Sequence, residues 1–464
     1  MVQGVHIEDG FIININPATG EVLSRIKCTS ASEVDEIVKN AKETVSSWMA
    51  FDAKDRVDFI RNGLKELGKE HDEMVELIVK EMGKPMAQAV AEMQGAACKD
   101  AYLDILIQAQ ASKQHGSSVV FRQALGVVVI LSPWNFPVDE ILLLALPALG
   151  AGNTVIIKPS EVTPECGART VQALAKALPP NVLQLAQGDG QVGAQLVSHP
   201  MVDMVAMTGS SATGKKVLSS AAPNLKRVVL ELGGKDPMVV FEDADLDKAA
   251  HDAVEYSLCN TGQVCCAIER IYVAESVIKE FEAKVLEHAR TYKVGNGFDP
   301  ETKVGPLVSK MQRDHVSAQV DQAVKEGARL LLKSDVPDGA GEHSSFHPVI
   351  VLSNVNRDMD VFSAETFGPV VAISTFDGTE TEGIRVANDT EYGLAGSVYT
   401  QDIEKATRVA SQMSCGQVGI NCYALENMDI ACPWVGRRAS GFGYHSGIEG
   451  FQQFSLPKTM VYNP

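Results

Sequence analysis

The sequence predicts an α/β protein whose parallel β-sheets are covered by helices on both faces. Two stretches carry the prediction, residues 119–232 and 235–440, in which short continuous apolar segments alternate with segments of helical period. Strands buried on both faces have this continuous apolar character, and their alternation with helices is typical of parallel sheets. In such sheets ligands bind beyond the carboxyl ends of the strands, so we expect the chemistry in the loops that follow them.

The composition limits the classes of partner and compartment. A length of 464 residues is enough for about two to four domains, and a net charge of −18 argues against nucleic acid or an anionic membrane as a partner. The nine cysteines form no Cys-x-x-Cys pair and no cluster with zinc spacing. We therefore expect free thiols, no metal site and a reducing, cytoplasmic compartment.

No targeting or membrane segment is expected from the sequence. The first residues lack a basic stretch followed by an apolar run, so they do not read as a leader peptide. The longest apolar run begins at Ile141 and is interrupted by Pro147, which makes it far too short to span a bilayer.

The chain before residue 119 is predicted to form a hairpin followed only by helices. The hairpin spans residues 11–27 around the turn Pro-Ala-Thr-Gly. Apolar residues at helical spacing then predict a helix capped by Ser30 or Ser32, a continuous run ending at Gly83, and a helix from about Met86 to Gln110.

The last residues, 451–464, read as a strand without an obvious partner in the sequence. Because an edge strand is normally covered or paired, this segment predicts a contact between subunits.

Two adjacent cysteines, Cys265 and Cys266, lie on an irregular turn between a predicted helix and a predicted strand. Asn260 to Gly262 break the helix that precedes them. A reactive group often lies on such a turn, but a thiol is a nucleophile only as the thiolate, in an electropositive or amide-rich setting. The alternative is that both are small buried residues, and this segment alone favours the alternative.

The segment GSSATGKK, residues 209–216, nearly matches the phosphate-binding loop of nucleotide triphosphatases. It follows a predicted strand and opens a helix, but Lys216 replaces the hydroxyl that would bind magnesium. Gly209 would still let backbone N–H groups approach a phosphate at the helix start. The alternative is a turn in which Ser210 or Ser211 caps the helix, and the pattern alone does not decide.

Five further polar residues follow predicted strands or stand in loops. Lys158 and Glu161, three residues apart, could bind the ribose or phosphate of a dinucleotide. Glu231 precedes two glycines and could be a general base whose pKa is raised by burial. Glu365 is another loop acid, and Asn135 could donate its side-chain N–H to an oxyanion. The alternatives are solvated charges and, for the asparagine, a turn before a proline.

In their order along the chain, these motifs resemble those of the aldehyde dehydrogenase superfamily. The matching segments are SPWNFP, KPSE, MTGS, LELGGK, GQVCCA, ETFGP, GINCY and ASGFG. Each is modest alone, but their common order covers essentially the whole chain and makes the resemblance specific.

The resemblance implies the aldehyde dehydrogenase fold, with a Rossmann-like cofactor domain, an α/β catalytic domain and a small β oligomerisation flap. The cofactor domain would comprise residues 1–105 and 125–234, and the catalytic domain residues 235–440. The flap would comprise residues 106–124 and 450–464. The expected assembly is a homodimer or homotetramer.

The resemblance also implies roles for single residues. Cys265 matches the nucleophile, Asn135 the oxyanion donor beside the Cys265 backbone N–H, and Glu231 the general base. The residues expected to bind the cofactor are Lys158, Glu161, Ser160, Trp134, Gly209, Ser210, Glu365 and Phe367. The cofactor is expected to be NAD, with NADP possible, because the Glu161 carboxylate would repel a 2′-phosphate.

The implied reaction oxidises a small-molecule aldehyde to a carboxylic acid through a thiohemiacetal and a thioester on Cys265. Glu231 would activate the water that hydrolyses the thioester. Relatives that pass the acyl group to coenzyme A usually lack this acid, so its presence favours the hydrolytic, non-acylating reaction.

The substrate pocket departs from the family pattern. Its predicted lining residues are Phe136, Glu140, Leu143 and Trp434. Relatives that oxidise semialdehydes carry an arginine where this chain has Leu143, which favours an apolar or cationic aldehyde of aliphatic, aromatic, amino- or betaine type. Arg437 and Arg438 could still supply a positive charge, so a succinate-semialdehyde-type dehydrogenase is the alternative.

Two alternatives come from other classes of protein. One is a catalytically silent structural or binding protein with this fold, and the other is a nucleotide hydrolase, which Lys216 disfavours. Oxidative pairing of Cys265 with Cys266 is not favoured, because neighbouring cysteines rarely form a good disulfide.

Overall fold

The computed structural model describes residues 6–338 and 344–463, so the predicted domain ends at residues 1–5 and 464 lie outside it. The chain begins with an antiparallel sheet of three strands: β1 (His6–Glu8), β2 (Phe11–Ile15) and β3 (Val22–Lys27). β2 and β3 are the predicted hairpin, and Gly20 in its turn has a φ of 77°, in the left-handed region that favours glycine. β1 adds a strand that was not predicted.

Helices follow, as predicted, but they are shorter and more numerous. They are α1 (Ala31–Met49), α2 (Ala53–Lys69), α3 (His71–Met82), α4 (Met86–Met93) and α5 (Asp100–Ala109). Of the two candidate caps Ser30 is used, because it exchanges hydrogen bonds with Glu33 at the start of α1.

Two predicted helices were too long. The run ending at Gly83 is two helices that break at Glu70, just after Gly68, a residue with weak helix propensity. The helix predicted from Met86 to Gln110 is interrupted between α4 and α5. There, a Cβ on Gly95 would lie 2.5 Å from Asp139 Oδ1, so the chain at this break packs closely against a distant side chain.

Strands β4 (Lys113–His115) and β5 (Ser118–Ala124) form the next hairpin. Residues 106–109 belong to α5, so the β-structure predicted for residues 106–124 begins later than expected.

The first parallel sheet and its helices then alternate along the chain. The elements are β6 (Val127–Leu131), α6 (Asp139–Gly150), β7 (Thr154–Lys158), α7 (Pro164–Ala175), β8 (Leu183–Leu185), α8 (Gly190–Ser198), β9 (Met204–Thr208), α9 (Ser211–Ala221) and β10 (Arg227–Glu231). The strands are parallel in the order β10-β9-β6-β7-β8. Their carboxyl ends, Leu131, Lys158, Thr208 and Glu231, therefore share one edge.

The second sheet follows with a similar alternation. Its elements are β11 (Asp236–Val240), α10 (Leu246–Leu258), β12 (Ile268–Ala274), α11 (Ile278–Ala289), α12 (Lys310–Lys325), β13 (Arg329–Lys333), β14 (Ile350–Ser353), α13 (Asp360–Ser363), β15 (Val370–Phe376), α14 (Glu380–Asn388), β16 (Ala395–Tyr399), α15 (Ile403–Gln412) and β17 (Gln417–Ile420). The order is β13-β14-β15-β12-β11-β16-β17, and β13 alone pairs antiparallel among these strands. Helices α13 and α14 were not predicted.

The C-terminal segment returns to the earlier parts of the chain. It contains β18 (Trp434–Val435), β19 (Gly441–Phe442), β20 (Tyr444–His445), α16 (Gly447–Phe451) and β21 (Ser455–Val461). β19 joins the first sheet beside β10, and β18 pairs with β20. The local sequence showed no obvious partner for the terminal strand, but the family resemblance grouped residues 450–464 with residues 106–124, and β5 lies in the latter range. β21 pairs with β5 along its whole length, from Ser455 opposite Ala124 to Val461 opposite Ser118.

Within the described ranges, 6–338 and 344–463, no helix has both the length and the apolar character needed to cross a bilayer.

Candidate active site

The loop that carries Cys265 is held in an uncommon backbone conformation. Asn260, Thr261 and Gly262 have φ angles of 51°, 60° and 72°. The left-handed region is rarely adopted by a β-branched residue such as threonine, so tertiary contacts must hold this turn. One such contact is visible at Gly262, where a Cβ would lie 2.0 Å from the Gly368 carbonyl oxygen. The helix break is thus a tight turn packed against the segment around Gly368.

Asn135 is fixed beside this loop by a small buried amide network. Its Nδ2 donates to the Gln263 carbonyl oxygen at 3.0 Å, while Asn260 Nδ2 donates to the Asn135 carbonyl oxygen at 3.0 Å. The Gln263 side chain donates to the Asn260 carbonyl and accepts from the Val308 N–H. An asparagine amide has two N–H groups, so this hydrogen bond leaves one N–H of Asn135 for another acceptor. Sequence reasoning missed the roles of Asn260 and Gln263.

The two glycines after β10 let the cysteine loop and an acid approach closely. A Cβ on Gly234 would lie 2.4 Å from the Cys265 carbonyl oxygen, and a Cβ on Gly233 would lie 2.4 Å from Glu365 Oε1. The Gly234 N–H donates to Glu365 Oε1 at 3.3 Å. Burial, and then the charge of Glu269, raise the pKa of Glu365 to about 7.

Glu231 ends β10 as a buried carboxyl group. The residue is 3% exposed, and neither of its carboxyl oxygens has a hydrogen-bond partner among the described residues. Burial raises the pKa of Glu231 well above its usual value, and the charge of Glu140 adds to the effect. The raised pKa makes the ionised form of Glu231 a stronger base than an ordinary carboxylate, as general-base catalysis requires.

The two neighbouring cysteines have different surroundings. Cys265 is partly exposed, whereas Cys266 is buried with its Sγ 2.9 Å from the hydroxyl of Tyr423. That hydroxyl also donates to the Cys266 carbonyl oxygen at 3.0 Å, and the Tyr423 ring stacks on Tyr256. Hydrogen bonding to Cys266, together with burial, raises the pKa of the Cys265 thiol. The thiolate therefore requires help from a proton acceptor or a nearby positive charge.

Cys265 lies at a cavity of about 290 Å³. Its lining residues are Ala96, Tyr102, Phe136, Asp139, Glu140, Leu143, Val264, Cys265, Cys266, Leu425, Met428, Asp429, Ile430, Cys432, Trp434, His445 and Ser446. The four predicted pocket residues are all among them. Arg437 and Arg438 are not, and the Arg438 guanidinium instead donates to the carbonyl oxygens of Asn388 and Thr390. Neither arginine therefore contributes a side chain to the lining of this cavity, which was the basis of the alternative substrate.

A second cavity, of about 370 Å³, lies at the carboxyl edge of the first sheet. Six of the predicted cofactor residues line it: Trp134, Lys158, Ser160, Glu161, Gly209 and Ser210. Glu365 and Phe367 are not among its lining residues. They lie on the segment before Gly368, where the Phe367 ring packs edge-on against Trp134 at 5.4 Å between centroids.

The residues of this cleft fit a dinucleotide. Ser210 caps α9 by accepting from the Thr213 N–H, so the start of the helix opens on the cleft, as anion sites do. Trp134 Nε1 is buried without a hydrogen-bond partner in the described part of the chain. Lys158 Nζ donates to Glu161 Oε2 at 3.0 Å and to two backbone carbonyl oxygens, so it holds the Glu161 carboxylate in place.

A buried ion pair supports the start of α6 and was missed from the sequence. Lys84 Nζ lies 2.5 Å from Glu92 Oε2, and both side chains are fully buried. Glu92 Oε1 accepts from the Val138 N–H at 2.9 Å, and the Lys84 ammonium lies 3.8 Å from the ring centroid of Phe136. From the sequence, Gly-Lys-Pro was interpreted only as a helix stop, and no local pattern reveals the pairing.

A cysteine at one cavity and a second cleft at the carboxyl edge of a parallel sheet are the features expected of a nicotinamide-dependent oxidoreductase. More narrowly, the chain belongs to the Aldehyde dehydrogenase family, whose sequence profile matches residues 6–460. The family resemblance and the fold class predicted from the sequence are thereby confirmed.

Several solved structures share the fold over nearly the whole chain. Aldehyde dehydrogenase C from Pseudomonas syringae, a mutant in complex with NAD+ and octanal, is 32% identical; the match covers 98% of this chain and 94% of that one, with a TM-score of 0.92. Betaine aldehyde dehydrogenase from Staphylococcus aureus, in complex with NAD+, is 31% identical over 97% and 94% of the two chains, with a TM-score of 0.92. Lactaldehyde dehydrogenase from Escherichia coli is 32% identical over 98% and 96%, with a TM-score of 0.90.

Proposed function

We propose that this enzyme oxidises an aldehyde to a carboxylic acid with NAD+ through a covalent adduct on Cys265. The observation that carries the proposal is the placement of Cys265 at a cavity, on a loop that Asn135 contacts and that packs on Gly234. Glu231, buried and unpartnered within the described residues, supplies the base.

The chain's own residues account for the covalent steps. The Cys265 thiolate adds to the aldehyde carbon, and the carbonyl oxygen takes the electron pair as an oxyanion held by Asn135 Nδ2 and the Cys265 N–H. NAD+ supplies the hydride acceptor when bound, which leaves a thioester. Glu231 takes a proton from water, whose oxygen attacks the thioester carbon. The C–S bond then breaks and returns the thiolate, releasing the acid.

The cofactor cleft supports NAD+ more than NADP+. Lys158 and the backbone hold the Glu161 carboxylate at the cleft, where it can accept a hydrogen bond from a ribose hydroxyl and would repel a 2′-phosphate. Two of the similar structures carry NAD+.

The substrate is proposed to have an apolar or cationic body. No lysine or arginine is among the lining residues of the Cys265 cavity, and Leu143 stands where semialdehyde oxidisers carry arginine. A succinate-semialdehyde-type enzyme, which must bind a carboxylate, is therefore the weaker candidate.

We also propose the assembly and domain division implied by the family. β21 is an edge strand of the three-stranded sheet β21-β5-β4, and an edge of this kind is suited to contact a second subunit in a homodimer or homotetramer. The cytoplasm remains the expected compartment, since all nine cysteines are unpaired.

The test is NADH formation with a panel of acidic, cationic and neutral aldehydes, with NAD+ and NADP+ compared. We expect Cys265→Ala to lose on the order of 10³-fold or more in kcat/KM. The matched control Cys28→Ala, at a cysteine outside both cavities, should keep the parent rate. If the parent enzyme forms no NADH or NADPH with any aldehyde, the catalytically silent protein replaces this proposal.

A further inference from the structure

The cavity at Cys265 carries acids without a balancing cation. Asp139, Glu140 and Asp429 are among its lining residues. His445 is its basic residue, but burial lowers the pKa of His445 to about 4, so the ring is neutral at neutral pH. The lining thus has negative charges available and no positive charge to pair with them.

Lys84, which contacts Phe136 of this cavity, already forms an ion pair with another acid. Lys84 is paired with Glu92 inside the protein, and its ammonium lies over the ring of Phe136. The Lys84 charge also acts on Asp139 and opposes the rise of its pKa, but Lys84 forms its ion pair with Glu92. Within the described residues neither Asp139 nor Glu140 forms a salt bridge of its own. Burial first, and then neighbouring carboxylates, raise the pKa of both groups to about 7.

Asp139 also has a hydrogen-bonding atom without a protein partner. Its Oδ1 is buried and accepts no hydrogen bond from the described residues. Gly95 leaves room for this oxygen, since a Cβ there would lie 2.5 Å away. A buried acceptor without a donor costs free energy, and a ligand that donates to it or carries positive charge would recover that cost.

Three aromatic side chains line the same cavity. Tyr102, Phe136 and Trp434 line the cavity together with the acids. A cation near the face of an aromatic ring is attracted by the ring quadrupole, and the attraction strengthens when water is excluded. Aromatic walls and unpaired carboxylates favour the same kind of ligand, an organic cation, and both disfavour an anion.

We infer that the preferred aldehyde carries a positive charge, as a protonated amine or a quaternary ammonium, which Asp139 and Glu140 hold while the carbonyl reaches Cys265. The inference rests on the proposed function and narrows its substrate class. Asp139 is the specificity-determining residue, because it lines the cavity and its Oδ1 has no hydrogen-bond partner among the described residues.

The first test compares charged aldehydes with neutral molecules of the same shape. Betaine aldehyde, a quaternary ammonium, is compared with its neutral isostere tert-butylacetaldehyde. β-Aminopropionaldehyde, a protonated amine, is compared with its neutral isostere butanal. The two pairs therefore test the two kinds of cation separately. In at least one pair, we expect kcat/KM for the cation to exceed that for its isostere by at least about tenfold. Asp139→Asn should remove most of this ratio, and Glu140→Gln should reduce it.

The matched control is Asp104→Asn, which removes the same charge from the exposed face of α5 and should leave the ratio unchanged. A ratio near one in both pairs for the parent enzyme would overturn the inference. So would a ratio that survives in both Asp139→Asn and Glu140→Gln.

Equilibrium binding separates this inference from the proposed function. Isothermal titration calorimetry of the parent protein with choline and with its neutral isostere neohexanol needs no turnover. Tighter binding of choline that Asp139→Asn abolishes would support the cation site even if no aldehyde were oxidised. Turnover of neutral aldehydes with equal binding of both alcohols would leave the proposed function standing and overturn the cation site.

Discussion

Thr208 Oγ1 donates a hydrogen bond of 2.9 Å to Glu140 Oε2, and this contact joins the cofactor cleft to the cysteine cavity. Thr208 ends β9 and lines the cleft, while Glu140 lies in the first turn of α6 and lines the cavity. Burial raises the pKa of Glu140 to about 7, and the Thr208 hydroxyl opposes that rise by stabilising the carboxylate. The charge of Glu140 in turn contributes to the raised pKa of Glu231.

Replacing Thr208 by valine should therefore change the pH dependence of turnover. Loss of one hydrogen bond, worth about 0.5–1.5 kcal/mol, should raise the pKa of Glu140 by roughly half a unit to one unit. Glu140 is then neutral over a wider pH range, and the pKa of Glu231 falls because the neighbouring charge is absent. The acid limb of kcat, measured at saturating NAD+ and aldehyde, should move to lower pH.

Thr208→Ser is the matched control, because it keeps the hydroxyl and should keep the parent profile. Movement of the limb to higher pH in Thr208→Val would show that Glu140 does not act on Glu231 through its charge.

Glu231→Gln should separate the two halves of the reaction. The thioester still forms, so the first turnover should release a burst of NADH, but hydrolysis loses its base and kcat should fall by about 10²–10⁴-fold. Rapid-mixing measurements of NADH would resolve the burst from the steady rate. If the variant loses the burst as well, Glu231 is required for a step before the thioester forms.

The parent enzyme should also show a pH dependence set by the same residue. Glu231 accepts a proton only when ionised, and burial raises its pKa well above the ordinary value. Hydrolysis should therefore strengthen as pH rises through that raised pKa and weaken below it. This acid limb should be absent in Glu231→Gln, and its persistence there would assign the limb to another group.

Breaking the buried pair of Lys84 and Glu92 should destabilise the protein. Lys84→Met leaves the Glu92 carboxylate buried without its partner, at a cost of about 3–5 kcal/mol in the free energy of unfolding. Urea titration followed by circular dichroism measures this change. The double variant with Glu92→Gln should recover part of it, since the unpaired charge is then gone.

The exposed pair of Lys80 and Glu76 provides the comparison. Both side chains are near half exposed, so Lys80→Met should cost no more than about 1 kcal/mol. Equal losses for Lys80→Met and Lys84→Met would contradict the importance of burial at Lys84.

Local pattern was sufficient for much of the fold. The alternation of apolar strands and helices over residues 119–232 placed the strands of the first sheet, because a strand buried on both faces needs a continuous apolar run. The same reasoning failed between α4 and α5, where Gly95 packs closely against Asp139, a residue far along the chain. For β21, whose partner β5 lies more than three hundred residues earlier, local pattern indicated no partner, and only the family resemblance grouped the two segments.

The sequence by itself was enough to name the candidate site residues, from the order of the motifs, and to predict most strands and helices, from the period of the apolar residues. Both are local properties of the chain. Only the tertiary structure decided the charge balance and neighbours of the site residues. It paired Lys84 with Glu92, bound the Arg438 guanidinium to the Asn388 carbonyl oxygen, and left Asp139 Oδ1 and both Glu231 carboxyl oxygens without hydrogen-bond partners among the described residues. The physical reason is that burial and pairing depend on distances between segments that meet only when the chain folds.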